Sequence, residues 1–200
     1  MRKLKRVLVV CAVVSGVGTA AAQAQGVEFG LGGGLAIPTS NALKGTYKTG
    51  YNLQASASFT LPGKFPFGVQ LDGNFIRNNV KNVSLKPQKL QIISGTANLV
   101  YKFKTSETAA IRPYIIAGGG VYNLDTKDAP AGPGAGSTTK FGVNAGAGFD
   151  FKAGPVGAFV EGRFHNIFSS FDAFDTSTST TTRTAANYVL VTAGIRFGGK

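Results

Sequence analysis

Charged side chains recur at alternate positions of several apolar segments, where they could form ion pairs inside a folded sheet. The acidic members are Glu28, Asp72, Asp150 and Glu161, and the basic ones are Lys102, Arg112, Lys152, Arg163 and Arg196. Alternate residues of a β-strand point to the same side of the sheet, and an unpaired buried charge is strongly destabilising. We therefore predict an internal network of ion pairs. A narrow ion path lined by the same groups is the alternative.

Other residues with catalytic or ligand-binding chemistry are sparse. The chain contains one histidine, His165, and one cysteine, Cys11. Ser169 and Ser170 follow His165 in a connection, but no carboxylate of the same segment would orient the imidazole as a general base, although Asp172 is near in sequence. A metal site normally needs several His, Cys or carboxylate ligands. We predict no catalytic residues, no metal site and no cofactor.

Basic side chains are concentrated in one connection between two apolar segments. They are Arg77, Lys81, Lys86 and Lys89. A solvated loop is the ordinary explanation of such a charge run. The alternative hypothesis is that these cations bind an anionic partner, because connecting loops carry much of the function of a rigid scaffold.

The chain contains eight segments of alternating polarity. In each of them every second residue belongs to an uncharged, mostly apolar face. One such series is Tyr51, Leu53, Ala55, Ala57 and Phe59. The whole chain is 15% charged, so a face without charge indicates surroundings that exclude charge. A soluble barrel of the lipocalin kind, with its apolar face inward, is the rival interpretation. The opposite face is small and amide-rich, which suits a crowded interior and favours a barrel in a bilayer.

The connections between the eight segments alternate in length. The long ones span residues 38–50, 76–92, 122–140 and 165–188, and the short ones 62–66, 104–110 and 152–155. Aromatic residues that would form a girdle at the outer rim are Tyr51, Phe75, Phe141 and Phe164. We predict an all-β fold, an eight-stranded antiparallel up-and-down transmembrane β-barrel, with the termini and short turns at the periplasmic side.

The N-terminus has the pattern of an export signal. Four basic residues precede an apolar run over residues 7–22, and Ala22-Gln23-Ala24 is a small-x-small cleavage site. We predict that residues 1–24 are a cleaved signal peptide and that residues 25–200 form one barrel domain. Cleavage would remove the only cysteine, so no disulfide is expected. The net charge of +12 favours anionic partners, and no nucleic-acid-binding motif occurs.

Three segments resemble the small outer-membrane β-barrel family of Gram-negative bacteria, which includes OmpA-, OmpX- and Opa-type barrels. They are residues 112–121 (RPYIIAGGGV), 159–164 (FVEGRF) and 192–197 (TAGIRF). The resemblance implies a location in the outer membrane, among its lipids and lipopolysaccharide. It also implies that Phe197 is the final-strand aromatic read by the barrel-assembly machinery, although three residues follow it. We expect a monomer.

The family resemblance leaves three functions to compare. The first is a structural or surface-interaction role, in adhesion or envelope integrity, exerted through the extracellular loops. The second is a narrow channel for small solutes or ions. The third is a lipid A-modifying enzyme, because certain barrels of this kind use a rim histidine with a nearby serine, as His165 with Ser169 or Ser170 would be. We predict the first, and we predict that the chain is not an enzyme.

Overall fold

Eight antiparallel strands close into one barrel in the computed structural model, which describes residues 26–61, 67–81, 89–106, 109–127, 137–152, 156–175 and 180–198. The elements are β1 (Val27–Pro38), α1 (Asn41–Lys44), β2 (Gly50–Thr60), β3 (Phe67–Asn79), β4 (Lys89–Lys102), β5 (Ile111–Lys127), β6 (Ser137–Phe151), β7 (Val156–Asp175) and β8 (Thr180–Gly198). Each strand pairs with its neighbours in sequence, and β8 pairs with β1. The predicted fold class is confirmed. The predicted signal, residues 1–24, and Lys86 lie outside the described residues.

The strand register staggers the barrel by ten residues. Following the paired residues from Glu28 through all eight strands leads back to Pro38 on β1, and positions 28 and 38 differ by ten. This stagger tilts the strands by roughly 40°, and a barrel of only eight strands has a lumen narrow enough for side chains to fill.

The two faces of the wall have the polarity that a membrane barrel requires. Apolar side chains of the outer face are widely exposed, with Leu53 at 56% and Leu99 at 58%. Their sequence neighbours Gln54 and Asn98 point into the lumen and are buried. The lipocalin-like alternative, which would bury the apolar face, is therefore wrong. No helix in the described part of the chain has the length and hydropathy to span a bilayer.

The strands extend further than predicted at the end where the long connections lie, which we call the loop end; the other is the turn end. Arg77 belongs to β3 and Lys89 to β4, not to a loop. The polarity of the two faces is exchanged here, so that the inward residues are apolar and the outward ones are charged. Ile76 and Leu90 point inward and are buried, while their neighbours Arg77 and Lys89 point outward. A wall that leaves the bilayer meets water outside, so its apolar residues turn inward. The prediction therefore ended the strands where the polarity of the faces changes, and the strands themselves continue beyond that point.

Inward apolar side chains fill the loop end and form what we call the apolar cap. Its members are Ala36, Leu43, Tyr47, Ile76, Leu90, Ile92, Tyr122, Leu124, Ile167, Ala186, Tyr188 and Leu190. Leu43 comes from α1, the single helical turn after β1, and is 1% exposed. The one-turn helix therefore places an apolar side chain over the mouth of the barrel.

Candidate functional site

Four ionic side chains form a layer in the lumen near the turn end. Lys102 Nζ lies 2.8 Å from Glu28 Oε2 and 3.3 Å from Asp150 Oδ2. Arg196 Nε lies 3.1 Å from Asp150 Oδ1, and its NH1 lies 3.8 Å from Glu28 Oε1. Each carboxylate thus contacts two cations, which offsets the cost of removing the charges from water.

A second ionic layer lies deeper, around Asp72. Arg163 NH1 donates to Asp72 Oδ2 at 2.8 Å, and Arg163 NH2 lies 2.6 Å from Glu161 Oε1. Three amide groups also donate to Asp72, those of Gln54 at 3.1 Å, Gln70 at 2.8 Å and Asn98 at 2.6 Å. With four donors, the Asp72 carboxylate is fully hydrogen-bonded although it is buried. This arrangement fixes the side chains around the carboxylate.

Tyr114 connects the two layers. Its hydroxyl donates to Glu161 Oε2 at 3.0 Å and accepts from Arg196 NH2 at 3.1 Å. The guanidinium of Arg196 also lies over the rings of Tyr114 and Phe159, 5.1 and 4.8 Å from their centroids. A Cβ at Gly148 would come within 2.5 Å of the Tyr114 ring. The missing side chain at Gly148 therefore provides the space that the tyrosine occupies.

The predicted interior set differs from the observed contacts at two residues, Arg112 and Lys152. Lys152 is exposed just beyond the end of β6 and does not point into the lumen. Arg112 lies opposite Asp150 in the register, but among the described residues it forms no ion pair. The reason is that the Asp150 carboxylate contacts Lys102 and Arg196. The remaining predicted members, Glu28, Asp72, Lys102, Asp150, Glu161, Arg163 and Arg196, all make ion pairs.

His165 is inside the lumen and not at the rim. It lies on β7 and is 1% exposed, and its Nδ1 is 2.9 Å from the Tyr122 hydroxyl. The strand continues past it to Asp175, which is why the prediction of a loop histidine is wrong. Its contacts in the described part of the chain include no carboxylate, and no described group of three His, Cys, Asp or Glu residues could hold a metal. The side chains of Ser169 and Ser170 are outside the described set.

The basic residues at the loop end lie mostly on the outer wall. Arg77 and Lys89 point outward from β3 and β4, and Lys81 is exposed just beyond β3. The structure also adds Lys48, from the connection between β1 and β2, because the main chain of Lys48 pairs with that of Asn79 at 2.8 Å. Lys48 could not be predicted from the sequence, since pairing between two connections leaves no periodic signal.

Phe197 lies near the end of β8 on the outer face. It is 39% exposed, and its ring stacks on Phe29 of β1 with the centroids 5.9 Å apart. The ring thus belongs to the aromatic rim at the turn end. Its predicted reading by the assembly machinery stays a prediction.

A family model and several solved structures match this chain. The model of the family described as outer membrane protein beta-barrel domain matches residues 9–197. Neisserial surface protein A is 15% identical, with a TM-score of 0.59 over 86% of this chain and 97% of that one. Ail of Yersinia pestis is 15% identical, with a TM-score of 0.49 over 87% of this chain and 100% of that one.

OprG of Pseudomonas aeruginosa is also 15% identical, with a TM-score of 0.48 over 88% of this chain and 98% of that one. No curated protein matches the chain significantly. At 15% identity, the similarity to Neisserial surface protein A concerns the fold alone. The family model, in contrast, matches nearly the whole length, and its match agrees with the closed barrel and its exposed apolar wall. The chain therefore belongs to the outer-membrane β-barrel family, and its place is the outer membrane.

Proposed function

We propose that this protein is a sealed outer-membrane barrel that acts through its extracellular end, in a structural or surface-interaction role. The observation that supports this function is the filled lumen. Two ionic layers occupy the turn-end half, and the apolar cap closes the loop end. Tyr122 and Tyr188, two of the three tyrosines of the cap, are both 0% exposed. A filled eight-stranded barrel leaves its loops and outer wall as the surfaces that can meet a partner.

The loop end is the extracellular end in this proposal. Residues 1–24 would direct export and be removed after Ala24, so that the mature protein begins at Gln25. The termini would then stay at the periplasmic side, and Arg77, Lys81, Lys86 and Lys89 would lie on the cell surface. Such cations attract lipopolysaccharide or another anionic surface over about 10 Å at 0.1 M salt. N-terminal sequencing of protein from outer membranes tests the cleavage, and a retained Met1 would contradict it.

The test of the sealed barrel is conductance. Purified barrel in a planar bilayer should pass almost no current, and a solute-permeable porin reconstituted in the same way serves as the positive control. Stable single-channel steps that disappear in the Asp72→Asn variant would support the channel and contradict the proposal. Lipid A mass spectrometry, with and without the gene, tests the enzyme alternative, for which we expect no change in lipid A.

The surface role needs its own measurement. Intact cells with and without the protein should differ in binding to anionic glycans or in resistance to envelope stress. A variant in which Arg77, Lys81 and Lys89 are replaced by glutamine, with the barrel intact, should resemble cells without the protein. The effect of the substitutions should be largest at low salt. An unchanged phenotype at every salt concentration would contradict a role for these cations.

A further inference from the structure

The connections after β1 and before β4 form a short two-stranded ribbon above the barrel rim. Tyr47 and Val80 form an isolated antiparallel bridge, Lys48 N–H donates to Asn79 O, and Lys81 N–H donates to Thr46 O, both at 2.8 Å. The ribbon continues the pairing of β2 with β3, in which Tyr51 lies opposite Arg77. It therefore extends the outer wall beyond the strands themselves.

Three cations share the outward face of this ribbon, and we call them the cation cluster: Lys48, Arg77 and Lys81. Lys48 lies opposite Asn79, and Arg77 and Lys81 are two positions to either side of Asn79. Residues two apart on a strand point to the same side, and diagonal neighbours across a strand pair are about 7–8 Å apart. The spacing suits two or three cations around one multiply charged anion.

The backbone beneath the cation cluster is firmly held. Tyr47 points into the apolar cap, and Val80 packs against the cap. Asn78, which is 0% exposed, donates from Nδ2 to Ala36 O at 3.1 Å and to Lys48 O at 2.9 Å. Lys81 Nζ donates to Lys44 O, which ties the ribbon to α1. The backbone positions that carry the cations are thus fixed before any ligand arrives, and a preorganised backbone lowers the entropic cost of binding.

The cluster begins immediately above the aromatic rim at the loop end. Tyr51 and Phe75 lie together there, with ring centroids 6.2 Å apart. Arg77 is opposite Tyr51 and two residues beyond Phe75, about 7 Å further along the strand. Aromatic girdles mark the boundary between the hydrocarbon core and the headgroups. Arg77 therefore lies at headgroup depth. Lys48, opposite Asn79, and Lys81 lie about 7 and 13 Å further along the ribbon.

The strands that carry the cluster and the strand beside them, β2, β3 and β4, have no outward carboxylate among the described residues. Lys89 on β4 lies opposite Asn79 from the other side. Asp125 is on the next strand, β5, opposite Gln91. The local surface is thus complementary to an anion that approaches from the side of the barrel.

We propose that the cation cluster binds the phosphate groups of anionic glycolipids in the surrounding leaflet, with lipid A as the lipid. The inference rests on the proposed function, because it needs the loop end to be extracellular. The cluster faces sideways at headgroup depth, where a lipid phosphate is always present. A partner from outside the cell would first reach the top of the barrel.

Energy transfer to labelled lipid A tests the inference. The mature barrel lacks cysteine, so a donor attached through Gln91→Cys, next to Arg77, reports the lipid at this wall. A second donor at Thr139→Cys, on β6, reports a reference wall. Nanodiscs of phosphatidylcholine with a small fraction of labelled lipid A should show enrichment at position 91 over position 139. Neutralising the cluster, with K48Q, R77Q and K81Q together, should weaken the apparent affinity about tenfold at low salt.

Three controls separate charge from folding. Lys104→Gln with Lys152→Gln removes exposed cations near the turn end and should leave the enrichment unchanged. The charge-conserving triple K48R, R77K and K81R should keep it. Heat-dependent electrophoretic mobility should show that every variant folds.

Lipid A without phosphates should show no enrichment. Equal enrichment of the dephosphorylated lipid, or full enrichment in the neutral triple, would overturn the inference. If the neutral triple loses binding of a soluble sulfated polysaccharide but keeps lipid A, the lipid assignment fails while the proposed surface role stands.

Discussion

Arg163 and Asp72 lie 91 positions apart in the chain, and their side chains meet at 2.8 Å in the middle of the lumen. Both are almost completely buried. Three side-chain amides donate to the Asp72 carboxylate, and Glu161 contacts the Arg163 guanidinium. The contact between Arg163 and Asp72 joins β3 to β7 across the lumen. It therefore connects two strands that do not pair with each other in the sheet.

The first prediction concerns this ionic layer. Arg163→Ala should lower the free energy of unfolding by about 3–5 kcal/mol, because it leaves two buried carboxylates without their shared cation. The double variant Arg163→Ala with Glu161→Ala should lose less than the sum of the two single losses, since one uncompensated charge is gone. Urea unfolding in lipid vesicles measures all three. Strictly additive losses would contradict the ion pair.

The second prediction compares two glycines on opposite faces of the wall. Gly148→Ala should cost about 1–3 kcal/mol of stability, because the added methyl group would lie 2.5 Å from the Tyr114 ring. Gly162→Ala is the matched control, since a Cβ there has no neighbour within 4 Å and would face lipid. The comparison uses the same urea assay. Equal losses for the two variants would contradict the packing of Tyr114 over Gly148.

The sequence predicted the middle of the barrel better than its ends. Alternation such as Leu53 with Gln54 identifies both faces of a wall inside the bilayer, because lipid excludes charge from one of them. Beyond the bilayer the outer face meets water and the inner face is apolar. In the sequence, Ile76 followed by Arg77 therefore resembles the end of a strand. The extension of β3, β5 and β7 was missed for that reason.

Ion-pair partners, which depend on the register between strands, also could not be predicted from the sequence. Arg112 and Asp150 are opposite each other, but the carboxylate contacts Lys102 and Arg196. Inward charge was predictable from alternation, whereas the choice of partner depends on the stagger of the barrel. Lys48 was missed because its pairing with Asn79 follows from a bridge between two connections.

The third prediction tests the outer face near the middle of the bilayer. Ala97 points outward from β4, next to the inward-facing Asn98. Ala97→Arg should cost about 2–4 kcal/mol, because the charge would enter the hydrocarbon region. Ala97→Leu has a similar increase in bulk without charge and should fold with wild-type yield in lipid vesicles. Equal folding yields for both variants would contradict the assignment of this face to lipid.

The last prediction concerns the helical turn that closes the loop end. Leu43 is 1% exposed in the apolar cap, whereas its neighbour Lys44 is exposed. Leu43→Ala should weaken the local seating of α1 and of Tyr47 beside it, because a buried Leu-to-Ala change typically costs about 2–5 kcal/mol. Chymotrypsin should then cut after Tyr47 at least ten times faster, since cleavage follows the population of the locally opened state.

Lys44→Ala is the matched control for this experiment, because it shortens an exposed side chain of the same turn without emptying the cap. Its cleavage rate should equal that of the wild type, and the barrel of both variants should keep its heat-dependent mobility. If Leu43→Ala is cut no faster than Lys44→Ala, the one-turn helix does not depend on Leu43 for its position. The closure of the mouth would then rest on the inward residues of the strands, with Tyr122 and Tyr188 as its largest members.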